Sequence, residues 1–171
     1  MNPKENEKKG YYGSLKGFHR AVPIILYALA VFIGICFING NAGTLGKGIR
    51  ELLLGLFSVG AYAIPFVLLI HGFFYAEDIT KKKLVSRVIF SIIAILVIST
   101  IEYTIAFRGQ EYVFAPAEFF SSKTSGGFVG SSVAYGLVKM LGTVGVYILA
   151  VALISIYLVM VLTGTPRNIQ I

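Results

Sequence analysis

Residues 52–76 read LLLGLFSVGAYAIPFVLLIHGFFYA, a stretch of 25 positions without Asp, Glu, Lys or Arg. A helix that crosses the ~30 Å hydrocarbon core of a bilayer needs about 20 consecutive apolar residues. Three further blocks share this character. Residues 21–38 and 140–166 carry no charge, and 88–107 carries only Glu102. Only 13% of the 171 residues are charged and the mean hydropathy is +0.80, whereas a soluble domain carries about a quarter charged residues. Charge this sparse, with apolar residues in blocks of membrane length, predicts a polytopic all-α membrane protein and excludes a soluble single-domain enzyme.

The basic residues set the expected orientation. Lys4, Lys8, Lys9, Lys16 and Arg20 precede the first block, Lys81, Lys82, Lys83 and Arg87 separate the second from the third, and Arg167 follows the fourth. That places ten cations on one side. Lys47, Arg50, Arg108, Lys123 and Lys139 make five on the other, diluted by Glu51, Glu102, Glu111 and Glu118. The positive-inside rule counts Lys and Arg near span ends, so four spans with both termini in the cytoplasm are expected, and Lys81, Lys82, Lys83 and Arg87 are the topology-determining cluster. The net charge of +7 is thereby assigned to membrane orientation rather than to nucleic acid. The first 20 residues are polar and no small-residue cleavage site follows the first block, so that block is expected to be a retained span and not a signal peptide. Cys36, the single cysteine, supports neither an intrachain disulfide nor a metal framework.

Residues 1–20 are expected to form a cytoplasmic tail, too small and polar to fold alone, with 21–164 as the membrane domain and 165–171 as the start of a cytoplasmic linker. The spans are placed at about 21–39, 58–76, 85–107 and 143–163. Pro23 falls in the first turn of its span, where a missing N–H costs nothing, and Asn39-Gly40-Asn41 is expected to end that helix. Between the first two spans, Leu45, Ile49, Leu52, Leu53, Leu56 and Phe57 recur at helical spacing. They predict an amphipathic helix over 44–57 in the outer interface, with a bend at Ser58-Val59-Gly60. Pro65 then lies inside the second span and frees a carbonyl that packing must satisfy. Residues 108–126, with Pro116, are expected to be an outer loop. From 124 to 166 the only charge is Lys139. As one helix those 43 residues would run about 65 Å at 1.5 Å each, twice the bilayer core. The run must break, and Gly142-Thr143-Val144-Gly145 is the expected place, leaving a second outer helix over 128–141. The halves then correspond: Gly43-Thr44-Leu45-Gly46 with Gly127-Phe128-Val129-Gly130, offset by 84, and Leu56 to Tyr62 with Leu141 to Tyr147, offset by 85 through one inserted residue. Both halves run the same way, which makes the repeat parallel.

Few residues offer chemistry. Gly43-Thr44-Leu45-Gly46-Lys47-Gly48 fails as a phosphate loop, because that motif needs Gly where Asn41 stands and a hydroxyl where Gly48 stands. His71 and Glu102 are the titratable residues inside apolar blocks, and such groups are functional candidates by default. Their depths differ by some 15–20 Å at helical rise, so His71 is expected to snorkel inward or bond a neighbouring helix and Glu102 to reach the outer interface. Gly60, Gly72, Gly130, Gly136, Gly142 and Gly145 are expected to serve helix bends and close helix packing. No catalytic constellation, zinc spacing or cofactor site is found.

With these positions laid out, the chain resembles the four-span N-terminal membrane domain of the FtsK/SpoIIIE family of bacterial DNA translocases. Leu56-Phe57-Ser58-Val59-Gly60-Ala61-Tyr62-Ala63-Ile64-Pro65, followed by Gly72, is similar to the family's Leu-Phe-Gly-x-Gly-Ala-Tyr-x-x-Pro, and Ser58 departs from the usual Gly. Gly126-Gly127-Phe128-Val129-Gly130 with Leu141-Gly142-Thr143-Val144-Gly145 forms the second match. The structural site residues are accordingly Gly60, Tyr62, Pro65, Gly72, Gly127, Gly130, Gly142 and Gly145. The resemblance implies a hexameric RecA-like motor, using ATP and Mg, that lies C-terminal to this region and moves double-stranded DNA. Since the chain ends at Ile171, it implies a non-catalytic membrane anchor, septum-targeting and oligomerisation domain, serving cell division or sporulation. The expected partners are the lipid bilayer, further copies of the chain (six by resemblance) and division-septum proteins, with DNA touched only through the motor. A small channel or transporter subunit is the alternative, and an intramembrane enzyme ranks below both for want of catalytic residues. If the orientation is right, cysteines introduced at 5 or 169 stay unlabelled by an impermeant reagent in intact cells, and cysteines at 112 or 123 are labelled.

Overall fold

The computed structural model describes the backbone of residues 3–38, 42–75 and 81–162, and the side chains of residues 21–38, 42–73 and 85–159. Within these limits every regular element is helical. The order is α1 (Pro3–Ile38), α2 (Gly43–Phe57), a 3₁₀ turn (Ser58–Tyr62), α3 (Ala63–Tyr75), α4 (Lys81–Ala106), α5 (Pro116–Ser122) and α6 (Gly127–Leu162). Four stretches are long and apolar enough to cross a membrane: Ala21–Ile38, Gly43–Phe73, Val85–Ala106 and Gly127–Val159. The all-α, four-span architecture expected from the sequence is present. Asn39-Gly40-Asn41, residues 76–80 and the 165–171 linker lie outside the described residues.

The helices associate as two pairs. α1 runs antiparallel to α3, with the Phe37 and Tyr62 rings 4.9 Å apart at one end. At the other end the Tyr27 ring lies so close to Gly72 that an added Cβ would sit 3.0 Å from it. α4 packs along α6, and α3 and α4 touch only lightly; α4 meets the first pair chiefly at the 3₁₀ turn. That turn, α2, α5, the end of α4 and the start of α6 gather at one end, here called the junction end. Ile33, Phe37, Leu54 and Ala61 form a buried apolar cluster there. Tyr103, Phe119 and Ala134 form another, ringed by Phe107, Tyr112 and Tyr135.

The tail reading needs correction. α1 reaches back to Pro3, so most of residues 1–20 is helical. A helix nucleated within the span gains one hydrogen bond for each residue it adds. The 108–126 segment, expected to be an outer loop, also holds a helix. α5 opens on Pro116 with Glu118 in its first turn, which is a recognisable helix start. Pro65 is corrected too. It stands in the first turn of α3, where no donor is required of it, and the Ala63 N–H bonds back to the Gly60 and Ala61 carbonyls.

The long apolar run does break at Gly142. α6 is two helices joined through that residue, whose φ of 68° and ψ of 170° are non-helical. Backbone geometry then fixes the repeat register. Gly43 (φ 72°) opens α2 and Ser58 (φ 47°) ends it; Gly127 (φ 65°) opens α6 and Gly142 (φ 68°) interrupts it. Gly43 and Ser58 thus have counterparts 84 positions on, at Gly127 and Gly142. The inserted residue inferred from side-chain identities is therefore absent at the breaks, and Ser58 corresponds to Gly142. Each half holds a 15-residue helical stretch that opens on a left-handed glycine and stops at a second left-handed residue.

Two glycines of α6 separate strain from helix propensity. Neither Gly136 nor Gly142 has an atom within 4 Å of an added Cβ, so neither substitution clashes. Gly142→Ala should destabilise by about 1–3 kcal/mol, because its backbone region admits essentially only Gly. Gly136→Ala should be neutral or stabilising by up to ~1 kcal/mol. Thermal unfolding of the two variants in one detergent compares them.

Candidate functional site: the junction at Ser58, Ser99 and Glu102

The α2–α3 bend opens the helical ladder in an apolar block, and a backbone group freed there has no water to turn to. Ser58 takes φ 47°, ψ −122°, a region that L-residues enter at a cost of about 1–3 kcal/mol. α4 supplies side chains for both groups that the bend exposes. The Ser99 hydroxyl donates to the Phe57 carbonyl at 2.7 Å and lies 3.1 Å from its own helix carbonyl at Ile95. Glu102 Oε2 accepts the Val59 N–H at 3.0 Å, and Oε1 accepts the Ser58 hydroxyl at 2.8 Å. Ser99 and Glu102 stand three residues apart, hence on one face of α4.

The Ser58 side chain is 2% exposed and reaches a third element. Its hydroxyl lies 2.8 Å from the carbonyl of Lys123, the left-handed residue that caps α5. A hydroxyl has one proton, so the Lys123 carbonyl and the Glu102 carboxylate share it. The Lys123 ammonium lies 3.9 Å from Glu51 of α2 with both side chains well exposed, a contact worth ~0–1 kcal/mol.

Glycines let the three backbones close on this point. A Cβ on Gly60 would meet Ser99 Oγ and lie 2.8 Å from the Ile95 carbonyl, and one on Gly130 would meet Ser99 Cβ. Ser99 is thus held between Gly60 of the first half and Gly130 of the second. A Cβ on Gly127 would lie 2.6 Å from the Gly55 carbonyl oxygen, and one on Gly55 would meet the Phe120 ring. The matching glycine of the first half, Gly46, packs against Cys36 Sγ of α1. In both halves the second glycine of Gly-x-x-Gly therefore faces a small side chain of the preceding span. At the second break, the Tyr112 hydroxyl and Thr143 Oγ1 are 2.8 Å apart.

The residues singled out from sequence fall into several places. Gly60, Gly127 and Gly130 converge on Ser99. Gly72 packs on Tyr27, and Tyr62 rests on Phe37 at the junction end. Gly142 is the break itself, and a Cβ on Gly145 would meet only the Leu141 side chain, from the other side of that break. Lys81, Lys82 and Lys83 form the first turn of α4 at the opposite end, their side chains outside the described residues; Arg87 is half-buried. Of α2's apolar residues, Leu45 and Leu52 are 72% and 54% exposed while Gly46, Leu54 and Gly55 are buried. The helix therefore turns a leucine stripe away from the bundle.

Sequence reasoning missed the Ser58–Ser99–Glu102 set. The available signal was the i, i+3 placement of two polar residues within the third apolar block. Chemically the set is a structural clasp. Both Glu102 oxygens act as acceptors, and no group of three or more His, Cys, Asp or Glu side chains that could hold a metal occurs among the described residues.

Fold and junction together define a helical membrane domain of two repeated halves, closed at one end by a polar clasp. Residues 37–166 match the family model described as the 4TM region of DNA translocase FtsK/SpoIIIE, and the chain belongs to that family. It is 26% identical over 144 residues to the DNA translocase FtsK of Caldanaerobacter subterraneus subsp. tengcongensis, covering 82% of this chain and 20% of that protein. The chain thus spans about a fifth of the length of that relative. No solved structure matches.

Removing the carboxylate tests the clasp. Glu102→Leu leaves the Val59 N–H without its acceptor and the Ser58 hydroxyl with the Lys123 carbonyl alone, and should cost about 1–3 kcal/mol. Glu102→Gln keeps a carbonyl acceptor and should cost less. Ser58→Gly loses the hydroxyl but relieves the backbone strain, so its thermal midpoint in detergent should fall least of the three.

Proposed function

We propose that this chain is a membrane anchor that holds a DNA-translocating motor at the bilayer, gathers copies of itself and directs them to the division septum. The observation that carries this reading is the family match over 37–166, joined to a surface suited to lipid. Ile24, Ile25 and Val31 on α1, Ile92 on α4, and Val144 and Ile148 on α6 are exposed. A transporter needs polar groups converging between its helices. The 130 Å³ cavity between α4 and α6 is instead lined by Ile, Leu, Val, Ala and one Thr, and the two polar side chains of the 440 Å³ cavity beside α3 and α4, His71 and Ser91, each bond a carbonyl of their own helix, which favours the anchor.

On this reading both termini are cytoplasmic, in keeping with the ten-to-five distribution of Lys and Arg. The junction end then faces outward, with α2 and the first part of α6 at the outer interface and Leu45 and Leu52 toward lipid. ATP and Mg belong to the motor, as does contact with double-stranded DNA. This segment needs no cofactor. A hexameric motor makes six copies the natural assembly, in cell division or sporulation. The purified chain should hydrolyse no ATP above a mock preparation. Carrying a fluorescent protein after Ile171, it should collect at the septum of dividing cells. ATP turnover, or a uniform membrane signal, would overturn the corresponding part of the reading.

A further inference from the structure

Helices that cross a bilayer gain nothing by hiding apolar surface from lipid, so they associate through close packing, with small residues where the backbones approach. The outward faces of α1 and of the part of α6 after Gly142 carry such a pattern. On α1, Ile24, Ala28, Val31, Ile35 and Ile38 recur at alternating spacings of four and three residues, and all five are exposed. On α6, Val144, Ile148, Val151, Ser155 and Leu158 recur at the same spacings and are exposed as well. This alternation sets each group in one stripe along its helix, suited to packing at a shallow crossing angle of about 20°. Both stripes are open, so neither covers the other within one chain.

The stripes match in length, direction and bulk. Each runs about 21 Å at helical rise. Ile38 follows Phe37, which rests on Tyr62 at the junction end. Val144 follows Thr143, which bonds Tyr112 beside the junction's aromatic cluster. In copies that share one orientation in the membrane, α1 of one copy therefore runs antiparallel to α6 of another, with Ile38 level with Val144 and Ile24 with Leu158. In that register the smallest residue of each stripe, Ala28 and Ser155, fall opposite one another, where two backbones can come closest. The Ser155 hydroxyl donates to the Val151 carbonyl at 2.8 Å, so covering it strands no donor. Seven of the ten positions are Ile or Val, whose stiff χ1 leaves little rotamer freedom to lose on packing. α3 differs. Among its described side chains the exposed ones are Phe66, Leu69 and Phe73, bulky groups that hold a second helix at a distance.

We propose that α1 of one copy packs against the second part of α6 of the next through these stripes, head to tail. The contact is heterologous: every copy offers one stripe of each kind, so it repeats from copy to copy around an axis normal to the membrane. It rests on the reading of a self-gathering anchor and gives that gathering its surface. A single copy meets lipid on both stripes, and assembly exchanges that lipid for protein.

Disulfide trapping of the 171-residue chain in native membranes tests the contact, with Cys36 left in place because it is 1% exposed. Chains carrying Ile35→Cys and chains carrying Ile148→Cys, expressed together, should form a covalent dimer on oxidation. Either alone should not, and the doubly substituted chain should form a ladder of multimers. Leu158→Cys is the register control. It stands ten residues beyond position 148, about 15 Å along the helix, whereas a disulfide needs Cβ atoms ~4 Å apart. Ala28→Phe with Ser155→Phe, both at exposed positions, should lower trapping about tenfold and leave the thermal midpoint of the dispersed chain in detergent unchanged. Trapping of Ile35→Cys by itself shows α1 against α1 and overturns the proposal. Equal trapping with Leu158→Cys, or undiminished trapping after Ala28→Phe and Ser155→Phe, does the same. Copies that associate by native mass spectrometry from nanodiscs, yet do not trap between positions 35 and 148, overturn the stripes and leave the anchor reading standing. Chains that stay single in the bilayer overturn both.

Discussion

A carbonyl and an N–H released inside an apolar helix must find partners, and the fold turns on how Phe57 and Val59 find theirs. Both are met from one face of α4, by Ser99 and Glu102. An unmade bond of this kind costs about 1–3 kcal/mol per group, so the bend and α4 stabilise each other as a unit. The glycines at 60, 127 and 130 permit the approach; the hydrogen bonds give it a register. Ser58 shows the balance within one residue. It occupies a backbone region suited to glycine, yet its hydroxyl joins α4 and the α5 cap, contacts that glycine could not make.

The two halves solve the same backbone problem with different side chains. In the second, the left-handed residue is Gly142, which carries no strain, and the neighbouring polar contact is Tyr112 with Thr143. In the first, a serine is tolerated because a carboxylate lies within reach. The halves share geometry, in helix length and in the placing of Gly43 and Ser58 against Gly127 and Gly142, more closely than they share side chains. Alignment by identity consequently slipped one residue at the breaks, whereas backbone angles kept a single offset.

Much of the architecture was legible in the sequence because it follows from length and hydropathy. Forty-three nearly uncharged residues exceed one crossing, so a break in the last run was forced, and glycine marked it. α5 carried a signal, Pro116 followed by Glu118, that was outweighed by the polar residues after it. The clasp was not legible. Glu102 looked like a carboxylate near the interface because its partners lie 43 and 44 positions away, and no local pattern encodes a tertiary contact. Ser58 looked like a minor departure because backbone strain leaves no mark in composition. The helical course of residues 3–20 escaped for another reason: propagation from a nucleated span can override weak local propensity.

The light contact between α3 and α4 has a mechanical consequence. Two stiff helix pairs that share one joint at an end form tongs, with Ser99 between Gly60 and Gly130 as the pin. Over a span of ~30 Å, a rotation of about 10° at the joint moves the free ends by roughly 5 Å. A load applied at those free ends meets little resistance from helix-to-helix contact between the pairs. It is converted into torque at the clasp, so the stiffness of the whole domain is set by a few hydrogen bonds at the end farthest from the load.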